Sequence, residues 1–110
     1  MDVPHPCPPT PSRVVTESGV DHVRLAYEYL DAGDVDGYGS LLDTDALGTG
    51  LERCRPPGIR HLITRIVADG YCVVVMGRLA PQHREFVDVF TLSAEGMLRS
   101  CRRYYADTQA

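Results

Sequence analysis

Polar and apolar positions change rhythm partway along the chain, from helical spacing to alternation. Val20, Val23, Tyr27 and Leu30 recur along one helical face, which predicts an amphipathic helix. Ser18, with Asp21 in the first turn, suits its start, and Gly33 supplies a stop. Asp34 can cap a second helix carrying Val35, Tyr38 and Leu42, although Gly37 and Gly39 weaken it by about 1 kcal/mol each. Asp43-Thr44-Asp45 closes that helix. Gly48, Gly50, Pro56 and Pro57 then break any long element, so residues 46–58 read as a loop, with room for a short strand at its start.

From Ile59 the pattern alternates. Strands are predicted over Ile59–Val67, Tyr71–Leu79, Phe86–Leu92 and Met97–Tyr105. Turns are predicted at Asp69-Gly70, Pro81-Gln82-His83 and Ser93-Ala94-Glu95-Gly96. The expected fold class is α+β: a four-strand antiparallel meander, with that short strand as an optional addition, curved around two N-terminal helices. Residues 1–15 hold most of the chain's prolines and read as a disordered leader before a single domain over 16–110.

One position breaks the strand pattern. Alternation puts Phe86, Asp88, Phe90 and Leu92 on one face, so Asp88 sits among aromatic neighbours. A carboxyl group so desolvated must be paired or keep its proton. If it keeps the proton, it can donate a strong hydrogen bond to a ligand oxygen. The plainer alternative is that this face meets water or an arginine.

Composition removes several function classes. With 44% hydrophobic and 24% charged residues, the 110-residue chain has the balance of a globular domain. A net charge of −4 offers no basic stripe for nucleic acid. The run Cys72–Met76 is far too short for a membrane span, and no secretory segment is evident. All 11 basic residues are Arg, which we read as coding bias of a GC-rich bacterial genome. Cys7, Cys54, Cys72 and Cys101 lack CxxC spacing, so reduced thiols and a cytoplasmic location are expected. His5, His22, His61 and His83 show no metal-site spacing, so no metal and no cofactor are expected.

Longer patterns resemble a known family. Tyr29-Leu30-Asp31-Ala32-Gly33-Asp34-Val35-Asp36-Gly37, then Leu41-Leu42 and Asp45-Ala46, resembles the opening of the nuclear-transport-factor-2-like superfamily, in its SnoaL-like polyketide-cyclase and ketosteroid-isomerase branches. Ile66-Val67-Ala68-Asp69-Gly70, Val73-Val74-Val75, Val87-Asp88-Val89-Phe90, Gly96-Met97-Leu98 and Arg102-Arg103-Tyr104-Tyr105 follow that family's hairpins in order. The resemblance covers roughly residues 18–107. It implies a cone, in which a bent sheet wraps around helices and leaves an apolar pocket in its mouth. It also implies homodimers joined through the outer sheet face and flat, oxygenated hydrophobic ligands. In ketosteroid isomerases, Asp88 falls on the acid that hydrogen-bonds the developing enolate oxygen. Other positions depart from the pattern. The oxyanion tyrosine falls on Ala26, one place before Tyr27, and the general base falls near Gly50. The segment between Gly50 and Ile59 is too short for the family's third helix, and Ser100-Cys101-Arg102-Arg103 replaces the ending of several cyclases.

His61 is the first substitute base, because imidazole titrates near neutrality and Ile59-x-His61-x-Ile63 can share an inward face. A structural histidine is the alternative. Glu52 could reach over the pocket mouth, or be a solvated loop acid. Tyr27, Tyr38, Phe86 and Phe90 are expected to line the interior as substrate contacts, and the two tyrosines double as core. Arg99, Arg102 and Arg103 alternate along the last strand, so they cannot all face inward. They read better as outward arginines on an interface sheet than as an anion site. The expected function is a small-molecule pocket protein of polyketide-type secondary metabolism. Its chemistry would be cofactor-free cyclisation, isomerisation or dehydration, with Asp88 and His61 as catalytic residues and an aromatic or polycyclic ligand. The alternative is a non-catalytic binding or accessory dimer that assists a biosynthetic enzyme.

Overall fold

The computed structural model describes residues 12–43 and 59–106. The leader up to residue 11, the expected loop with Gly50, Glu52 and the optional short strand, and the place where the family has its third helix lie outside the described residues.

Helix α1 spans Arg13–Ala32. It starts five residues before the expected Ser18, because the Ser12 hydroxyl accepts from the Val15 amide and caps the first turn. Its end is as expected. Gly33 adopts a left-handed φ of 74°, and the Gly33 and Asp34 amides reach back to the Leu30 and Tyr29 carbonyls. Asp34 caps α2, Val35–Gly39, through Gly37 N–H at 2.8 Å. This second helix is a single turn, shorter than the stripe suggested. Tyr38 is buried while Val35 is exposed.

The strands are β1 Arg60–Asp69, β2 Cys72–Ala80, β3 Arg84–Leu92 and β4 Leu98–Tyr105. They form an open antiparallel sheet in chain order. Together with the helices on its inner face this is the expected α+β meander. Val73, Val75, Leu79, Phe86, Phe90, Leu92, Leu98 and Cys101 from the sheet meet Val23, Ala26, Tyr27, Tyr38 and Leu41 from the helical side.

Two irregularities set which residues face that core. In β1 the register slips between Ile63 and Arg65, so Thr64 is the extra residue, and its hydroxyl donates to the Met76 carbonyl. In β4 the slip lies where Thr91 pairs Ser100 but Leu92 pairs Leu98. Arg99 is the extra residue there, which lets Leu98 and Cys101 both be buried although they lie three apart. Arg103, two beyond Cys101, therefore turns inward, while Arg99 and Arg102 stay exposed. This corrects the expectation that the three arginines form an outward set.

Three polar contacts pin α1 across the sheet. Thr16 donates its hydroxyl to Gly70 O at 3.1 Å, and His22 Nδ1 lies 2.8 Å from Gly96 O. At the other end, Asp31 binds the start of β1 at His61. Helix position is thus tied to the β1–β2 and β3–β4 turns and to β1.

Candidate active site

Between α1 and the inner sheet face, six side chains from four elements meet: Tyr27 of α1, His61 of β1, Phe86, Asp88 and Phe90 of β3, and Arg103 of β4. Register explains the meeting. Asp88 pairs Arg103 directly across β3 and β4, so both side chains leave the sheet on the same face. Gly77 lies opposite Phe86 in β2, and a Cβ there would sit 3.1 Å from Phe86 Cζ and 2.5 Å from the Leu62 carbonyl oxygen. The bare backbone at Gly77 is what lets the phenyl ring lie down.

Asp88 is fully buried, as alternation requires, but it is not a lone acid. Arg103 donates from Nε to Oδ1 at 2.7 Å and from Nη2 to Oδ2 at 2.8 Å, a two-pronged pair whose side chains are 4% and 0% exposed. Tyr27 Oη donates to Oδ2 at 2.5 Å. A neutral acid offering its proton to a ligand is therefore replaced by an ion pair. The physical reason is that a buried carboxylate beside a matching guanidinium needs no proton to offset desolvation. The Arg103 guanidinium also lies over the Phe86 ring, 4.5 Å from its centroid. Burial, then the charge and hydrogen bond of Asp88, push the Tyr27 hydroxyl well above the usual tyrosine range.

His61 points into the same interior and its side chain is 1% exposed. Asp31 Oδ1 lies 2.8 Å from its Nδ1, and both Asp31 oxygens accept the His61 backbone N–H, at 3.2 and 3.1 Å. Because a carboxylate only accepts, Nδ1 carries the proton and the lone pair of the neutral ring belongs to Nε2. Nε2 is buried and has no hydrogen-bond partner among the described residues. Its ring lies 5.0 Å from that of Tyr27 and 5.7 Å from that of Phe86, perpendicular to the latter. An acid, an imidazole and aromatic walls are the parts of a general base in a dry site.

Of the expected site residues, Tyr27, His61, Phe86, Asp88 and Phe90 come together, and Tyr38 is buried in the adjoining core. Sequence reasoning missed Asp31 and gave Arg103 the wrong face. Asp31 stands at the end of α1, thirty positions from His61, and only the tertiary pinning of α1 joins them. Among the described residues no group of three His, Cys, Asp or Glu side chains is placed to hold a metal ion. None of their helices is long and apolar enough to cross a membrane.

Neither family models nor curated proteins match the chain, but solved structures do. A candidate ketosteroid isomerase from Kribbella flavida superposes with a TM-score of 0.65 at 17% identity, over 86% of this chain and 82% of that one. A SnoaL-like protein of unknown function from Burkholderia thailandensis gives 0.64 at 14%, over 87% and 98%. An NTF-2-like protein of unknown function from Burkholderia xenovorans gives 0.63 at 17%, over 86% and 87%.

Proposed function

From a chain with the nuclear-transport-factor-2-like, SnoaL-like fold, we infer a small-molecule pocket protein that moves a proton next to a carbonyl, without a cofactor, at His61. The observation that carries this reading is Nε2: buried, unpartnered among the described residues, and opposite an Nδ1 tied to Asp31. A C–H bond beside the substrate carbonyl breaks, its proton goes to Nε2, and the electron pair moves onto the carbonyl oxygen as an enolate. Asp31 stabilises the imidazolium formed. The Arg103 guanidinium supplies positive field for the enolate, while Asp88 positions Arg103 and Tyr27 rather than donating a proton. Such chemistry suits an activated aromatic or polycyclic poly-ketone. We place the protein in polyketide-type secondary metabolism as a cyclase, isomerase or dehydratase, in a cytoplasmic setting.

The test is deuterium uptake at the α-carbon of 2-tetralone in D2O, followed by proton NMR. The full chain is expected to exchange the ketone faster than buffer, and His61→Gln to lower the enzymatic rate by about 10²–10⁴-fold. Exchange at the buffer rate, or exchange unmoved by His61→Gln, contradicts the reading.

A second reading, a non-catalytic ligand-binding or accessory dimer, draws on two observations. The proton-donor place of Asp88 is taken by an ion pair, and the outer sheet face is apolar. There Val67, Val74 and Val89 lie in one cross-strand row, with Met76, Val87 and Tyr104 in the next. Val67 and Tyr104 are 44% and 50% exposed. A shallow groove of roughly 380 Å³ continues this face past Arg78 and Glu85. We propose that a second copy covers it, since Arg65, Arg78 and Arg102 beside Glu85 and Asp69 form a mixed-charge rim that a two-fold partner can match.

A further inference from the structure

We propose that Arg84 forms a carboxylate subsite at the open end of the pocket, so that the substrate is a flat ketone carrying an acid group on the far edge of its ring system. This rests on His61 being the base of the pocket, and it adds which ketones the pocket takes.

Register puts the two groups in one line. His61 of β1 pairs with Leu79 of β2, and Leu79 pairs with Arg84 of β3, so all three leave the sheet on its inner face in a single cross-strand row. Two strand spacings, about 10 Å, separate the backbones of His61 and Arg84. Leu79 between them is buried and makes an apolar floor. A bicyclic plate lying over that floor has one edge at the imidazole and the opposite edge at the guanidinium.

Arg84 has a defined place at that edge. Its guanidinium carbon lies 3.6 Å from the centroid of the Tyr105 ring, a cation–π stack. Tyr105 is itself placed by pairing with Phe86, a wall of the pocket, across β3 and β4. The stack covers a face of the guanidinium, whereas its five N–H donors lie in the plane, at the edge. That edge matches the two oxygens of a carboxylate, and five donors let the carboxylate share the group with other acceptors.

Charge and depth then select an acid at the rim. The row of His61, Leu79 and Arg84 carries a cation and no carboxylate. Glu85 leaves β3 on the opposite face, across from Arg78, and Asp31 is engaged at His61. Arg103 lies two rows deeper, buried and forked onto Asp88, while Arg84 is exposed. A ligand carboxylate can meet Arg84 while still hydrated, so the ring system enters without burying that charge.

The experiment uses the full chain with 6-carboxy-2-tetralone, its methyl ester and 2-tetralone at neutral pH. Calorimetric titration reads affinity, and proton NMR reads deuterium exchange at the α-carbon. The acid is expected to bind about fivefold more tightly than the ester, with added salt erasing the difference. In exchange, the preference is expected in KM and not in kcat. Arg84→Gln is expected to equalise acid and ester and to leave 2-tetralone exchange unchanged. Arg84→Lys, which loses the fork, and Tyr105→Leu, which loses the stack, are each expected to retain roughly a twofold preference. Equal affinity for acid and ester in the unaltered chain overturns the proposal, as does a preference that survives Arg84→Gln; ester exchange above the buffer rate then leaves the proton-transfer reading standing. Exchange of all three ketones at the buffer rate, beside an Arg84-dependent preference for the acid, overturns proton transfer and upholds the subsite. Failure of all three to bind overturns both.

Discussion

Asp88 and Arg103 would each be costly in the core alone, and they are placed so that neither is. Removing one partner leaves the other charge buried, so Arg103→Met should lower stability by about 3–5 kcal/mol. Pairing it with Asp88→Leu should restore much of that loss, since an apolar pair of similar volume replaces the ion pair. Chemical denaturation of the two variants checks this. Tyr27 adds a pH signature. Its hydroxyl titrates higher in the folded chain than in the unfolded one, so its contribution is fully present below about pH 10 and fades as pH rises above that value. Tyr27→Phe should flatten this alkaline loss while costing about 1.5–3 kcal/mol at neutral pH, the value of a hydrogen bond to a charged acceptor. Asp88 was legible as buried from alternation alone. Its partner was not, because sequence parity groups Arg103 with Arg99 and one extra residue in β4 separates them.

Elements were easier to find than their irregularities. The four strands lie within a few residues of the alternating runs, and the Gly33-Asp34 junction between helices needed only local chemistry. The start of α1 was missed because Ser12 caps it from within a proline-rich stretch whose composition argued against structure. Neither bulge had a local signal, yet each decides which side chains face the core, so the candidate site was legible in its residues and not in its geometry. Gly77 shows how tightly β1, β2 and β3 are fitted around it. A methyl there meets the Leu62 backbone oxygen at 2.5 Å, and a backbone carbonyl between paired strands cannot swing away. Gly77→Ala should therefore cost about 1–3 kcal/mol, seen as a lower melting temperature. It should also displace the Phe86 ring from its place over Arg103 and beside His61.

At the scale of the molecule, α1 covers one face of the sheet and leaves the other to its valines. If a second copy covers them, sedimentation should give twice the chain mass. Val89→Glu, in the middle of the apolar rows, should shift the protein to monomer with its circular dichroism unchanged. A monomer at all concentrations for the unaltered chain would count against the interface. The interior face carries the larger claim, that its walls, ion pair and imidazole are arranged around a ligand. The most direct test is a crystal structure of the protein with 2-naphthol. The account predicts the naphthol plate between α1 and the sheet, with the ring carbon beside its hydroxyl facing His61 Nε2 and its oxygen toward Arg103. Naphthol bound elsewhere, with Nε2 still packed against protein atoms alone, would contradict it.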